Sequence, residues 1–405
     1  MSETNGSQDR AHFLLLNIGH FLDHLFTLVF ATVAALVLSR EWGLSYGTLL
    51  AYATPGFFAF GLFSLPAGWL ADRWSKDGMM VVYFAGIGLA AIATSFAQSP
   101  LQLGAGLFVV GMFAAIYHPV GLAIVTARWR NTGMRLAVNG VWGNLGVGGA
   151  ALITGVLIDH GGWRSAFVVP GLVSIGLGIT YAWLRRAEIA APNAAKQAAA
   201  APPLTPEFKA LLLRVSIIVF ATTALSSIIF QSTTFALPKI FEERLQGVAH
   251  WLRDGATAST IGGLAFVVFA VASLAQLVVG KQLDRFGPRP VFIAVALIQV
   301  VFFAIMPFVS DFWALAAAFG FMLGAFGQIP INDYMIGRMA SGAARARVYG
   351  VRYVVSFTVL AAALPLIAFV HDSWGFDRLF MILALTAFLT FVIVSRLPRE
   401  LPVQS

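Results

Sequence analysis

The sequence predicts an all-α membrane protein with twelve transmembrane helices in two six-helix bundles. Three observations predict it: a composition too apolar for a water-facing surface, apolar runs of span length at regular intervals, and an internal repeat. Of 405 residues, 59% are hydrophobic and only 11% are charged, and the mean hydropathy is +0.83. A soluble domain of this size would lack the polar groups needed to cover its surface.

Runs of about 20 apolar residues, the length that crosses a bilayer, fall near 12–38, 46–71, 79–97, 101–127, 136–158, 165–184, 211–238, 258–280, 290–309, 312–337, 348–370 and 377–396. The even count puts both termini on one side. That side holds 20 of the 26 Lys and Arg residues, so the positive-inside rule makes both termini cytoplasmic in a bacterial-type inner (plasma) membrane. The net charge of +8 therefore points to the lipid bilayer as partner rather than to nucleic acid. The chain has no cysteine, which excludes disulfides and thiolate metal sites. The polar start, MSETNGSQDRA, lacks a signal n-region, so the first apolar run is expected to be a retained span. Without a phosphate-binding glycine loop, neither an enzyme nor direct ATP drive is expected, and no cofactor is.

Residues 185–208 are rich in Ala and Pro with flanking charge, and read as a cytoplasmic linker between bundles 1–184 and 209–405. The halves repeat. Asp72 and Asp284 are 212 apart, as are Arg135 and Arg347, while Pro119 and Pro330 are 211 apart and Arg164 and Arg378 are 214 apart. Parallel six-span repeats are a transporter plan, with the substrate held between the halves near the bilayer midplane.

The repeated loops read GWLADRWSKDG (68–78) and GKQLDRFGPRP (280–290). On these the chain resembles the major facilitator superfamily over essentially its whole length. Gly68, Leu70, Asp72, Arg73 and Lys76 match the signature loop, as do Gly280, Leu283, Asp284, Arg285, Gly287 and Arg289. Ser75 departs from it. The resemblance implies a gating role for Asp72, Arg73, Lys76, Asp284, Arg285 and Arg289, with the aspartates facing helix dipoles and the cations pairing with acids or headgroups. GHFLDH in span 1, YHPVG in span 4 and the small-residue run 139–155 look most like the fosmidomycin-resistance branch of exporters.

Span 1 carries the chemistry. Asn17, His20, Asp23, His24 and Thr27 fall within roughly a 120° arc at about 100° per residue. An ionisable group at this depth costs at least ~2.5 kcal/mol on insertion scales and marks a functional position. Asp23, His20 and His24 are therefore the candidate proton-coupling groups, joined by His118 beside Pro119, whose helix bend favours a cavity wall. Candidate substrate-binding residues are Asn17, Thr27, Tyr117, Asn139 and Asn144 in the first half, and Ser227, Gln231, Gln328 and Asn332 in the second. Arg128, Arg130 and Arg135 read as topology charges. Lys239 is placed near the periplasmic mouth, where it steers anions or snorkels.

The expectation is a monomeric secondary transporter that moves protons and a small organic substrate, and exports the latter by alternating access. The alternative is a proton-driven uptake symporter for an organic acid or vitamin, favoured by the absence of proline between Pro119 and Pro170, where drug antiporters carry Gly-Pro. Met335 and Met339, at i and i+4, raise a copper importer, although methionine is ordinary core filler. Spacing shows no third ligand beside His20 and His24, so no metal site is assigned.

Overall fold

A computed structural model describes residues 3–129, 132–190, 206–252, 257–339 and 342–398. Their regular structure is helical throughout. In chain order these are α1 (Glu3–Val33), continued by a π-helical turn (Ala34–Leu38), α2 (Ser39–Glu41), α3 (Tyr46–Arg73), α4 (Lys76–Thr94), α5 (Pro100–Ala114), α6 (Tyr117–Arg128), α7 (Thr132–Leu184) and α8 (Arg186–Ala190). There follow α9 (Pro206–Arg244), α10 (Gln246–Leu252), α11 (Ala258–Phe286), α12 (Pro288–Ile305), α13 (Asp311–Gly327), α14 (Ile329–Met339) and α15 (Gly342–Val394).

Ten stretches among the described residues are long and apolar enough to cross a membrane. Two of the helices, α7 and α15, run 53 residues each, or about 80 Å at 1.5 Å per residue, more than twice a bilayer core. Each is broken by a glycine with positive φ, Gly162 at 71° and Gly375 at 73°. Glycine adopts that conformation without strain, so each long helix is two antiparallel spans joined at a tight corner. This accounts for the twelve spans expected. Serines fix several starts: Ser45, Ser75 and Ser99 accept the backbone N–H groups of Thr48, Gly78 and Gln102 at 3.0, 3.0 and 3.3 Å.

The prolines interrupt spans where the sequence places them. Pro119 lies in the first turn of α6, and its ring nitrogen cannot donate to the Ala115 carbonyl, so the span breaks at Ala115–Ile116. Pro330, in the first turn of α14, breaks the repeat-related span after Gly327 in the same way.

Contacts along the chain define two compact units, Met1–Ala195 with Ala249–Val267, and Lys196–Val248 with Val268–Ser405. In the first, α1 lies against the first half of α7. A Cβ on Gly146 would collide with the Phe21 carbonyl, and one on Gly143 would sit 2.7 Å from the His20 ring. Small residues thus let the two backbones approach, as expected of helix packing in lipid. Phe58, Leu62, Leu65 and Trp69 form an exposed stripe along α3, spaced to face hydrocarbon. In the second unit Val271, Leu274 and Val278 repeat that stripe on α11. Met335 is fully buried in a cluster with Val215, Val219, Phe292 and Ile331, where its flexible thioether fills space. The Met339 side chain and Arg130 lie outside the described residues.

Candidate functional site

The polar arc of α1 meets the first turn of α6 and the first turns of α7 inside the first unit. The break before Pro119 sets the direction of Tyr117 and His118, so both reach α1. His118 Nε2 stands 3.3 Å from Asp23 Oδ2, and Asp23 is wholly buried. The three imidazoles of His20, His24 and His118 crowd together, with ring centres 5.0, 5.1 and 5.6 Å apart. Tyr117 stacks on His20 at 4.9 Å.

A hydrogen-bonded scaffold fixes this group. His20 Nδ1 lies 2.8 Å from the Asn139 carbonyl. A carbonyl only accepts, so Nδ1 carries the hydrogen and Nε2 presents the lone pair. Asn139 Nδ2 donates to Asn17 Oδ1 and to the Tyr117 hydroxyl, both at 2.9 Å. Tyr117 passes its own proton to the Leu16 carbonyl at 2.7 Å, and Tyr83 donates to the Gly19 carbonyl at 2.8 Å. Asn17, Tyr117 and Asn139 thereby hold α1, α6 and α7 together. Within this group, among the described residues, His20 Nε2, Asn139 Oδ1 and both Asp23 oxygens have no hydrogen-bond partner, Asp23 Oδ2 facing His118 only as an ion-pair contact. Unsatisfied polar atoms in an apolar surrounding are costly and mark a place that exchanges partners.

One ligand atom from each of His20, His24 and His118 lies within 4.8 Å of the others. A tetrahedral ion with Zn–N bonds of 2.0–2.1 Å holds its ligands about 3.4 Å apart. The separations all fall within 4.8 Å, so the trio is a group that could hold an ion, with His118 the third imidazole that spacing along α1 did not show. Asp23 and His118 at 3.3 Å suit the sharing of one proton, as carboxylate with imidazolium or as acid with neutral imidazole.

The other sequence-predicted residues are placed as follows. Thr27 donates to the His24 carbonyl at 3.0 Å, so its hydroxyl closes a local turn of α1. Asn144 is half-buried on α7. In the second unit Gln299 Nε2 reaches Gln328 Oε1 at 3.3 Å, and Gln328 Nε2 donates to the Ser226 carbonyl at 3.2 Å. Asn332 is buried, Gln231 is half-buried, and Ser227 donates to Ser356 at 3.4 Å. The 211-residue offset puts Gln328 where the first half has Tyr117, and Ile329 where it has His118. The second unit's counterpart is therefore hydrogen-bonding and carries no titratable group at that step.

The loop charges meet partners on their own helices or the adjoining turn. Lys76 Nζ is 3.2 Å from Asp72 Oδ1, and Arg73 lies 4.2 Å over the Trp69 ring. Arg285 lies 4.9 Å over Phe286, with Asp284 exposed and Arg289 half-exposed. Lys239 is held by Glu242 at 2.7 Å and Glu243 at 3.3 Å, which neutralises it as an anion-steering charge.

Sequence reasoning passed over a second buried ionisable group, formed by His12, Asp77, Tyr181 and Arg185. Asp77 sits in the signature loop and reads there as one more surface charge. The available signal was helical: His12 precedes Asp23 by eleven residues, within about 20° of three full turns.

The fold is thus a repeat-built bundle of apolar helices with a buried carboxylate–imidazole pair. The model of the Major Facilitator Superfamily matches residues 16–252 and 245–405, and the chain belongs to that family. It is similar over 96% of its length to the crystal structure of a D-xylose-proton symporter (12% identity, 97% of that chain, TM-score 0.73). It is similar to a peptide transporter in complex with sulfate over 96% of both chains (13% identity, TM-score 0.74). These likenesses concern the fold. Among characterised relatives it is 27% identical over 165 residues to a gallate transporter of Pseudomonas putida, covering 40% of this chain and 36% of that one. To a methyl viologen resistance protein of Salmonella typhimurium it is 31% identical over 158 residues, 38% and 32% of the two chains. To a niacin transporter of Acinetobacter baylyi it is 30% identical over 171 residues, 40% and 38%. The matches thus span about a third of each relative's length. The chain is a multi-pass membrane protein of this family.

Proposed function

We propose that this chain is a proton-coupled transporter that exports a small organic compound, amphipathic or anionic, by alternating access. It works in a bacterial-type inner membrane as a monomer with both termini cytoplasmic. The observation that carries the reading is the buried Asp23–His118 pair, 3.3 Å apart, set among two further imidazoles. A carboxylate without water at this depth is expensive unless a cation or a proton accompanies it. A pair that holds one proton in one state and none in another gives each transport step a gradient to run on. His20, with its free Nε2, and His24 are the next proton acceptors on the same face. Asn144 and the second-unit groups Ser227, Gln231, Gln328 and Asn332 are the substrate-facing set. Asn17, Thr27, Tyr117 and Asn139 shape the wall. Asp72, Arg73, Lys76, Asp284, Arg285 and Arg289 gate the cytoplasmic side.

Export is supported by the likeness of spans 1, 4 and 5 to the fosmidomycin-resistance branch. The methyl viologen and puromycin resistance proteins among the relatives agree with it. Uptake is the second reading, favoured by the gallate, niacin and 4-hydroxybenzoate transporters among those same relatives.

The test is flux of a panel in proteoliposomes: methyl viologen, puromycin, gallate, 4-hydroxybenzoate and nicotinate, each with and without an imposed proton gradient. Movement of one or more compounds against an opposing proton flow supports the proposal. Co-directional flow with protons moves the chain to the uptake reading, and flux indifferent to the gradient removes proton coupling altogether.

A further inference from the structure

The first unit holds its second ionisable centre at the end that the charge bias assigns to the cytoplasm, built from four helical segments. His12 of α1 is fully buried. Its Nε2 lies 2.8 Å from the Tyr181 hydroxyl and 3.4 Å from Asp77 Oδ1. Tyr181 and the Arg185 Nε also reach Asp77 Oδ1, at 2.7 and 3.0 Å. Arg185 extends to Glu188 as well, at 2.5 Å.

The hydrogens can be assigned by counting donors. Tyrosine has one hydroxyl proton, and the Asp77 carboxylate, already facing an arginine, takes it. His12 Nε2 must then donate to the Tyr181 oxygen, which leaves Nδ1 as the bare lone pair. Nδ1 is buried and has no hydrogen-bond partner among the described residues. It is a proton acceptor with nothing yet to accept from. The charged and titratable groups around the ring are Asp77 from α4, Tyr181 from α7, Arg185 just beyond α7, and Arg128 from α6, the last paired with Asp9 of α1 at 2.6 Å. Trp129 lies 5.6 Å away, with Arg135 over its ring at 5.8 Å.

His12 and Asp23 lie about 16 Å apart along the axis of α1 and on nearly the same side of it. Between them on that stripe are Leu16 and Gly19, whose carbonyls hold the hydroxyls of Tyr117 and Tyr83 at 2.7 and 2.8 Å. The two tyrosine rings are 5.5 Å apart. Two hydroxyls, each donating to a backbone carbonyl of α1, therefore stand in the otherwise apolar stretch separating the two ionisable centres.

We propose that His12 is the cytoplasmic proton relay of this transporter, passing a proton between the Asp23 pair and the Asp77–Arg185 pair at the membrane surface. The relay rests on the proton-coupling reading given above. In one direction Nδ1 takes up the proton that the Asp23 pair gives up, while Nε2–H gives its own to the Tyr181 oxygen and Tyr181 releases its hydroxyl proton to Asp77, so that the Asp23 pair loses one proton and Asp77 gains one. The imidazole ends neutral with its hydrogen on Nδ1, and resets by ring reorientation.

The experiment is a pH jump on the purified full chain in proteoliposomes, following the protonated-carboxyl infrared band against time. Asp23→Asn identifies the Asp23 band by removing it. With that band identified, His12→Gln is expected to slow its rise about a hundredfold, the lower end of what a positioned proton-transfer group contributes. The glutamine amide keeps a donor toward Tyr181, so the fold is retained. Tyr181→Phe, which breaks the link to Asp77, provides an independent variant and is expected to slow the band likewise. An unchanged rise in either folded variant overturns the relay while leaving the coupling site in place. If Asp23→Asn leaves every carboxyl band intact, the coupling reading fails and the relay falls with it.

Discussion

Replacing Asp23 by Asn removes one titrating site and little else. The amide still faces His118 Nε2 where the carboxylate stands at 3.3 Å, and side-chain volume is almost unchanged. What is lost is charge assistance: hydrogen bonds to charged groups contribute ~1.5–3 kcal/mol against ~0.5–1.5 for neutral ones, so stability falls by about 1–1.5 kcal/mol. The transport consequence is larger. A site that carries one proton per cycle converts each pH unit, ~1.4 kcal/mol, into about a tenfold concentration ratio of substrate. In proteoliposomes with a gradient of two pH units, wild type should concentrate its substrate by up to about a hundredfold, and Asp23→Asn should not concentrate it at all. The assay pairs labelled-substrate flux with a thermal unfolding curve that shows the variant to be folded. Gradient-driven accumulation surviving in Asp23→Asn would refute the assignment.

Three further outcomes follow from the same packing. His118→Ala strips the partner from a fully buried carboxylate, so it should destabilise by about 3–5 kcal/mol at neutral pH, and lowering the pH, which protonates Asp23, should restore part of the loss; differential scanning fluorimetry across pH checks this. Asn139→Ala leaves Asn17 Oδ1 without its donor and should cost about 1–3 kcal/mol, read from chemical or thermal unfolding. Gly146→Leu drives a side chain against the Phe21 carbonyl and should destabilise by about 1–3 kcal/mol or more, whereas Gly140→Ala, with open space around it, should express and unfold like wild type.

Much of this fold was legible because lipid imposes simple rules. Span length, loop charge and the repeat offset follow from bilayer thickness and topology, and each leaves a mark on the linear sequence. The corners at Gly162 and Gly375 were legible too, as interruptions of apolar runs. The site was legible where it lay on one helix: an arc is a property of spacing, so His20, Asp23 and His24 declared themselves. Its completion was harder to see. Spacing cannot show that the Nδ2 of Asn139, a candidate substrate ligand, already donates to Asn17 and Tyr117. His12 and Asp77 are 65 residues apart, and only packing of α1 on α4 and α7 joins them. For Lys239, placed at the periplasmic mouth to steer anions or snorkel, spacing alone did not show the pairing with Glu242 and Glu243, which is a matter of rotamer as well.

The most direct test of proton-driven export is the sign of the proton movement itself. A pH dye trapped inside proteoliposomes reports it as a panel compound enters the lumen down its gradient. Exchange of compound against protons predicts that the lumen turns alkaline as the compound arrives, and that Asp23→Asn abolishes the change. A lumen that turns acid, or one whose pH does not move while the compound crosses, contradicts the account.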